Sequence, residues 1–240
     1  MDTVAQFLFL KRLKVPFIRK ARAVLMRSVF PRRRYIASLS VRPISVKHGF
    51  DRGLPVDRFY IERFLKDNKQ HIRGACLEVV DNTYTMKFGE DRVTKSDAID
   101  IFKTRVATIH GDLRNLSGLI PDNTYDTVIL TQTLHVIDEY EQAIKECHRI
   151  LKPGGNILVT VPTISPAWHL SVNMWRFSPR SAQYVFAKHF DFSKIKVIPL
   201  GNGISTEMFW LGMAVEDMTT EELQKDDLGY PTIIGIVATK

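Results

Sequence analysis

Cysteine is scarce: Cys76 and Cys147 are the only two in 240 residues. Neither sits in a Cys-x-x-Cys pair or a Cys/His cluster with metal-ligand spacing, which excludes a disulfide framework, a structural zinc site and a thiol redox motif. No metal is expected, and a reducing cytoplasm is the expected compartment. Both cysteines lie in apolar or helical patterns and read as core packing. Long hydrophobic runs are missing too. The longest early one, residues 7–10, is cut by Lys11 and Arg12, far short of the ~20 apolar residues of a spanning helix. It also precedes the basic residues, the reverse of a secretory signal. Acids are nearly absent from residues 1–53, where thirteen Lys/Arg meet only Asp2 and Asp51, net +11; from residue 54 onward twenty-one cations meet twenty-four acids, net −3. The overall +8 therefore does not describe a basic nucleic-acid-binding body.

In residues 4–30 the apolar positions Val4, Leu8, Val15, Ile18, Leu25 and Val29 alternate with clusters of Lys and Arg. The spacing predicts a basic amphipathic helix, broken near Pro16 and ended by Pro31 and Arg32-Arg33-Arg34. Such a helix lies on an anionic membrane surface, where each cation contributes ~1 kcal/mol, docks on an acidic partner protein, or packs on its own domain. The excess of cations favours docking through residues 1–34, hence a cytoplasmic protein held peripherally at the inner membrane face or on a partner. Aromatic residues do not alternate with the cations as stacking platforms, so nucleic acid is not an expected partner. The expected division is a basic extension over 1–48 and one domain over 49–240.

From residue 55 the pattern becomes regular. Residues 56–65 read as a helix, 75–80 as a buried strand, 92–94 and 107–109 as weaker strands, and 127–131 as a β-branched strand. Residues 139–151 have helical spacing and stop at Lys152-Pro153-Gly154-Gly155; 156–161 follow as another buried strand. After Pro162 come an aromatic loop with Trp168, Met174, Trp175 and Phe177, a helix over 181–190, and late strands over 194–199 and 232–239. Short apolar strands alternating with helices predict an α/β, doubly wound, mainly parallel sheet.

Ligands of an open α/β sheet bind beyond the carboxyl ends of the strands, where strand order reverses. The residues there are Val80, Asp81, Asn82, Thr83 and Tyr84 after the first strand, with Glu78 inside it. Asp97 follows the second strand, nineteen residues beyond Glu78, near the ~20-residue offset of an acid that meets a ribose hydroxyl; it reads equally as a helix N-cap. Asp112 follows the third strand, and Thr131, Gln132 and Thr133 follow the fourth.

Glu78, Asp112-Leu113, Tyr125-Asp126-Thr127-Val128-Ile129-Leu130, Leu134-His135-Val136-Ile137 and Arg149-Ile150-Leu151-Lys152-Pro153-Gly154-Gly155, in this order, resemble class I S-adenosylmethionine-dependent methyltransferases. Arg52-Gly53-Leu54-Pro55-Val56-Asp57-Arg58-Phe59-Tyr60-Ile61-Glu62, Tyr84-Thr85-Met86-Lys87-Phe88-Gly89 and Trp175-Arg176-Phe177-Ser178 are similar to a bacterial subfamily associated with polysaccharide and glycosyltransferase genes. The resemblance covers residues 49–240. It implies a Rossmann-like methyltransferase fold, S-adenosyl-L-methionine as cofactor, and O-methylation of a saccharide or lipid-linked glycan (glycolipid) acceptor. A dehydrogenase would want Gly-x-Gly-x-x-Gly after the first strand, and no glycine falls between Gly74 and Gly89.

Within the resemblance, Glu78 orders the loop or meets the methionine end of the cofactor, Asp97 the ribose, and Asp112 with the Leu113 backbone the adenine. Val80, Asp81, Asn82, Tyr84 and Thr131 complete that site. Val80 stands where such enzymes usually have a glycine, and its branched side chain crowds the cofactor's approach. This leaves open a second reading, a catalytically degenerate scaffold that binds a partner through its basic arm. Methyl transfer asks for donor and acceptor aligned about 3–3.5 Å apart, and a hydroxyl acceptor gains from a base. His135, His169 and His110 are the candidate bases, with His135 equally readable as packing, and Arg176 is a candidate clamp for an anionic acceptor. Trp168 and Trp175 stack on a sugar or fill the core.

Overall fold

The computed structural model describes residues 42–166 and 173–240. The helix expected over 4–30 lies outside the described residues, as do Trp168 and His169. Residues Ile44–Lys240 form one compact unit. Its elements are α1 (Val56–Asp67), β1 (Gly74–Val79), α2 (Thr83–Gly89), β2 (Val93–Asp100), β3 (Ile109–His110), β4 (Tyr125–Thr131), α3 (Tyr140–Ile150), β5 (Leu151–Pro162), α4 (Pro179–Phe186), β6 (Ile195–Leu200), α5 (Gly203–Trp210), α6 (Thr220–Gln224) and β7 (Ile233–Thr239).

The strands form one seven-stranded sheet in the order β3-β2-β1-β4-β5-β7-β6. β1 to β5 run parallel, and β7 enters antiparallel to both β5 and β6. Strand order reverses between β1 and β4, so the crevice that such a sheet offers to a ligand lies there, at the carboxyl edge.

β4 and β5 are central strands buried on both faces, which is why they read as unbroken apolar runs. Val128, Leu130, Ile157 and Val159 point to one face with Ile144, Cys147 and Phe186, while Ile129 and Leu158 point to the other with Tyr60, Ile61 and Phe64 of α1. Each such side chain withdrawn from water contributes roughly 1.5–3 kcal/mol. α1 approaches the sheet closely because β7 carries Gly235, where a Cβ would come within 2.3 Å of the Phe64 ring. Both cysteines are fully buried, as expected, and burial pushes their thiols up to about 11 at Cys76 and about 12 at Cys147. Among the described residues no helix is long and apolar enough to cross a membrane.

The structure corrects three sequence expectations. The strand expected over 92–94 runs through Asp100, because β2 pairs with β1 from Val93 to Ile99 although its first half is polar and open to solvent. Asp97 is therefore inside a strand rather than beyond one, and it caps no helix. The stop expected at 152–155 is a bulge within β5: Leu151 lies opposite Tyr125 and Asn156 opposite Thr127, so the intervening residues loop out, with Gly154 at φ +78°. Helix α4 ends at Phe186 rather than 190, and α2, α5 and α6 have no counterpart in the sequence pattern.

Candidate active site

A cavity of about 800 Å³ opens at the carboxyl edge beside the β1–β4 reversal. Its walls are residues 78–81 with Tyr84, residues 99–102, 111–114, 131–133 and 136–138, together with Arg58 of α1 and Met174. Seven of the residues expected at a cofactor site line it: Glu78, Val80, Asp81, Tyr84, Asp112, Leu113 and Thr131.

Glu78 is 2% exposed. Its carboxylate accepts the backbone N–H groups of Tyr84 at 3.2 Å and Thr85 at 2.7 Å, so it holds the loop and the first turn of α2 in place. Burial pushes its carboxyl up to about 7, against the pull of those two donors and with help from nearby Asp81. Val80 has φ +74°, left-handed backbone that a β-branched residue adopts at a cost. Its N–H donates to Ile99 O at 2.8 Å, and its side chain is half-exposed. Across the reversal, Gln132 has φ +49° and donates its N–H to Thr160 O at 2.9 Å. Two non-glycine residues in strained backbone on facing strand ends, both lining the cavity, are the kind of outlier that accompanies a binding site.

Two expected cofactor residues are elsewhere. The Asp97 carboxylate accepts the Tyr125 hydroxyl at 2.8 Å and pairs with Lys95 at 2.6 Å. Burial pushes it up, but those partners hold it below the usual carboxylate range. Asn82 donates its side-chain amide to Ser96 Oγ at 3.1 Å, away from the cavity. The acid that reaches the cavity from β2 is Asp100, the last residue of the strand.

Asp112 lines the cavity but is already engaged. Arg114 donates from Nε and Nη2 to its carboxylate, at 2.6 Å for the closer contact, and holds it below the usual range. The same guanidinium reaches Asp138 Oδ1 at 2.7 Å, so Arg114 joins the loop after β3 to the loop after β4. The cavity thus carries five carboxylates (Glu78, Asp81, Asp100, Asp112, Asp138) against two guanidinium groups (Arg58, Arg114). Arg114 neutralises two of them, and Asp81 and Asp100 make no salt bridge among the described residues. The net field suits a cationic ligand whose hydroxyl and amine donors meet carboxylate acceptors.

None of the expected catalytic side chains described lines the cavity. His135 is 8% exposed and packs behind the wall. Burial pushes its imidazole down to about 4, the Arg176 charge lowers it further, and the Asn173 side chain opposes. The ring does not line the cavity, and its Nδ1 is buried without a hydrogen-bond partner among the described residues. What residue 135 contributes is its carbonyl, which accepts the N–H groups of Met174 at 2.9 Å and Trp175 at 3.1 Å. Arg176 spends its guanidinium on the carbonyls of Trp175 and Ser165, both at 2.7 Å, so it clamps its own chain. His110 lies in β3 with Nδ1 3.3 Å from Asp100 O. His169 lies outside the described residues. Trp175 donates Nε1–H to Ile137 O at 2.9 Å and stacks edge-on against Tyr140, which seats Met174 as part of the cavity wall.

Arg58, Asp100, Arg114 and Asp138 escaped the sequence reading. The signal for Asp100 is the buried pair Ala98-Ile99, which carries the strand past Thr94 to its end at Asp100. The other three come from loops and a helix start with no pattern that sets them apart.

Residues 69–159 match the model of a methyltransferase domain family. Over 123 residues the chain is 32% identical to a demethylmenaquinone methyltransferase of Listeria monocytogenes, which covers 50% of this chain and 46% of that protein. Over 89 residues it is 34% identical to a demethylmenaquinone methyltransferase of Staphylococcus epidermidis, covering 37% and 36%. The chain thus spans under half the length of these curated relatives. Among solved structures it superposes on a SAM-dependent methyltransferase from Archaeoglobus fulgidus with a TM-score of 0.52 at 11% identity, covering 75% of this chain and 93% of that one. It superposes on the [4+2]-cyclase SpnF with the same TM-score of 0.52 at 15% identity, covering 82% and 89%. At such identities the likeness establishes the Rossmann-like methyltransferase fold and nothing about the reaction.

Proposed function

We propose that the chain is an S-adenosylmethionine-dependent methyltransferase whose cofactor occupies the cavity at the β1–β4 reversal. The observation that carries this reading is the acid-rich cavity in the segment that matches a methyltransferase domain. Asp100, ending β2, holds the ribose hydroxyls; Glu78 orders the loop that takes the methionine end; Asp112 and the Leu113 backbone take the adenine once Arg114 yields. The cofactor supplies an electrophilic methyl group on a sulfonium. The chain's part is to bind, align and exclude water.

The acceptor in this reading is a saccharide, in lipid-linked form. The bare apolar rim at Val80, Ile101, Phe102, Val136 and Met174 supports an acceptor with an apolar portion. Asp81 lines the cavity, makes no salt bridge among the described residues and has no part in holding the cofactor, and is therefore the base available to a hydroxyl. The basic arm over residues 1–34 holds the enzyme at the inner face of the cytoplasmic membrane or on an acidic partner. The degenerate-scaffold reading draws on Val80, whose side chain stands in the cavity in strained backbone.

Calorimetric titration of the full chain with S-adenosylmethionine and S-adenosylhomocysteine separates the two readings. Saturable binding of both is expected. No binding at millimolar ligand, in a sample whose circular dichroism shows a folded protein, would overturn the enzyme reading in favour of the scaffold. Methyl transfer to lipid-linked glycan and to a demethylmenaquinone, run side by side, decides the acceptor.

A further inference from the structure

The loop joining β2 to β3 exposes Ile101, Phe102 and Val106 at 51%, 73% and 60%. Three bare apolar side chains in six residues are not what a solvated connection carries. Lys103 and Arg105 stand between them, both exposed, and neither has an ion-pair partner among the described residues. No acid falls between Asp100 and Asp112. Exposed cations without an ion pair also occur elsewhere among the described residues, such as Lys66 and Lys145; Lys103 and Arg105 differ in standing between bare apolar side chains.

The loop is held open by its own hydrogen bonds. Phe102 N–H donates to Asp100 Oδ1 at 3.0 Å, Ala107 N–H to Thr104 Oγ1 at 3.1 Å, and Thr108 N–H to Ala98 O at 2.9 Å. Its apolar side chains are thus presented outward at the carboxyl edge, where Ile101 and Phe102 also form the cavity mouth.

We propose that residues 101–106 dock the protein on an anionic lipid bilayer. The apolar side chains enter the interfacial region, Lys103 and Arg105 meet the anionic headgroups, and the cavity mouth opens onto the lipid. An unpaired pair of cations flanked by bare apolar side chains is the chemistry of such a surface; an acidic protein would match the charges and leave the Phe102 ring in water. The proposal rests on the reading above in one respect only: if the cavity is where methyl transfer occurs, a lipid-linked acceptor reaches it without leaving the membrane.

The test is one of orientation, because the basic arm can itself bring the chain to a vesicle. Cys76 and Cys147 are buried, so an environment-sensitive thiol dye placed by Phe102→Cys, or by Phe192→Cys at the opposite edge of the sheet, reports its own position in the full chain. With vesicles of phosphatidylglycerol and phosphatidylcholine in equal parts, emission at 102 is expected to rise about threefold or more with a blue shift, and emission at 192 to stay unchanged. Adding Lys103→Glu and Arg105→Glu should cut the rise at 102 by about fivefold or more, each cation near a lipid surface being worth a factor of that order. A silent label at 102, an equal rise at 192, or a rise at 102 indifferent to charge reversal would each overturn the proposal. Cofactor titration without vesicles is the independent arm: a silent 102 label with cofactor binding intact refutes docking alone, and a responsive label without cofactor binding refutes the enzyme reading alone.

Discussion

Replacing Val80 tests whether the loop after β1 is strained where the cofactor must approach. At φ +74° an L-residue pays roughly 1–2 kcal/mol for left-handed backbone, a cost glycine escapes. Glycine brings its own penalty of about 0.5–1 kcal/mol in unfolded-state entropy. Because Val80 is 51% exposed, truncation loses only a part of the 1.5–3 kcal/mol of a fully buried side chain, roughly 1 kcal/mol. Val80→Ala and Val80→Gly lose nearly the same packing, yet only the glycine variant sheds the strain. Val80→Gly should therefore be more stable than Val80→Ala by about 0.5–1 kcal/mol, the reverse of the usual order of these residues. Urea unfolding at equal m-values measures the difference directly. The glycine variant should also bind S-adenosylhomocysteine more tightly than wild type, by about threefold or more, since no Cβ stands in the cavity. An alanine variant at least as stable as the glycine one would refute the strain argument. Unchanged affinity in Val80→Gly would show that the side chain does not crowd the ligand.

Asp100→Asn removes an ionised acceptor from the cavity while keeping its shape, and cofactor affinity should fall by about ten- to a hundredfold, the worth of charge-assisted hydrogen bonds; Asp97→Asn should leave affinity within about twofold and instead lower stability by about 1–2 kcal/mol through Tyr125 and Lys95. The Glu78 carboxyl, ordinarily near 4.5 and here raised to about 7, favours its protonated form in the folded state. Its contribution to stability is thus present below about 4.5 and lost as pH rises to about 7, so Glu78→Gln should gain on wild type across that window by about 1–3 kcal/mol. A cation bound nearby reverses the preference, so cofactor binding near pH 7 should release a fraction of a proton, measured by calorimetry in buffers of different ionisation heat. Trp175→Phe keeps the ring but loses the bond to Ile137 O, and should lower stability by about 1 kcal/mol and raise the acceptor's KM more than the cofactor's.

The parts of the fold that were legible in the sequence are those buried on both sides. β4, β5 and α3 announce themselves because every inward position must be apolar. In the sequence β2 stops at Thr94 because Lys95, Ser96 and Asp97 interrupt the apolar pattern, and the buried Ala98-Ile99 beyond them are too short a run to stand out alone. The same interruption puts the apparent strand end near Asp97, whereas the acid that ends β2 at the cavity is Asp100. Helix α5 has no apolar stripe to betray it, with Ile204 and Trp210 exposed and Phe209 buried; its signal is the reciprocal cap between Asn202 and Ser205. For His135 and Arg176, a position near the carboxyl edge and the residue type do not say which way the side chain turns.

Gln132 carries a consequence for anyone who would engineer the protein. Its backbone sits at φ +49°, and its side-chain nitrogen is buried without a hydrogen-bond partner among the described residues. A library screened for heat resistance alone should enrich glycine or asparagine there, because both relieve the backbone. The same winners would loosen the floor of the cavity. Selection for robustness and selection for turnover should pull position 132 in opposite directions, and a useful screen has to score both.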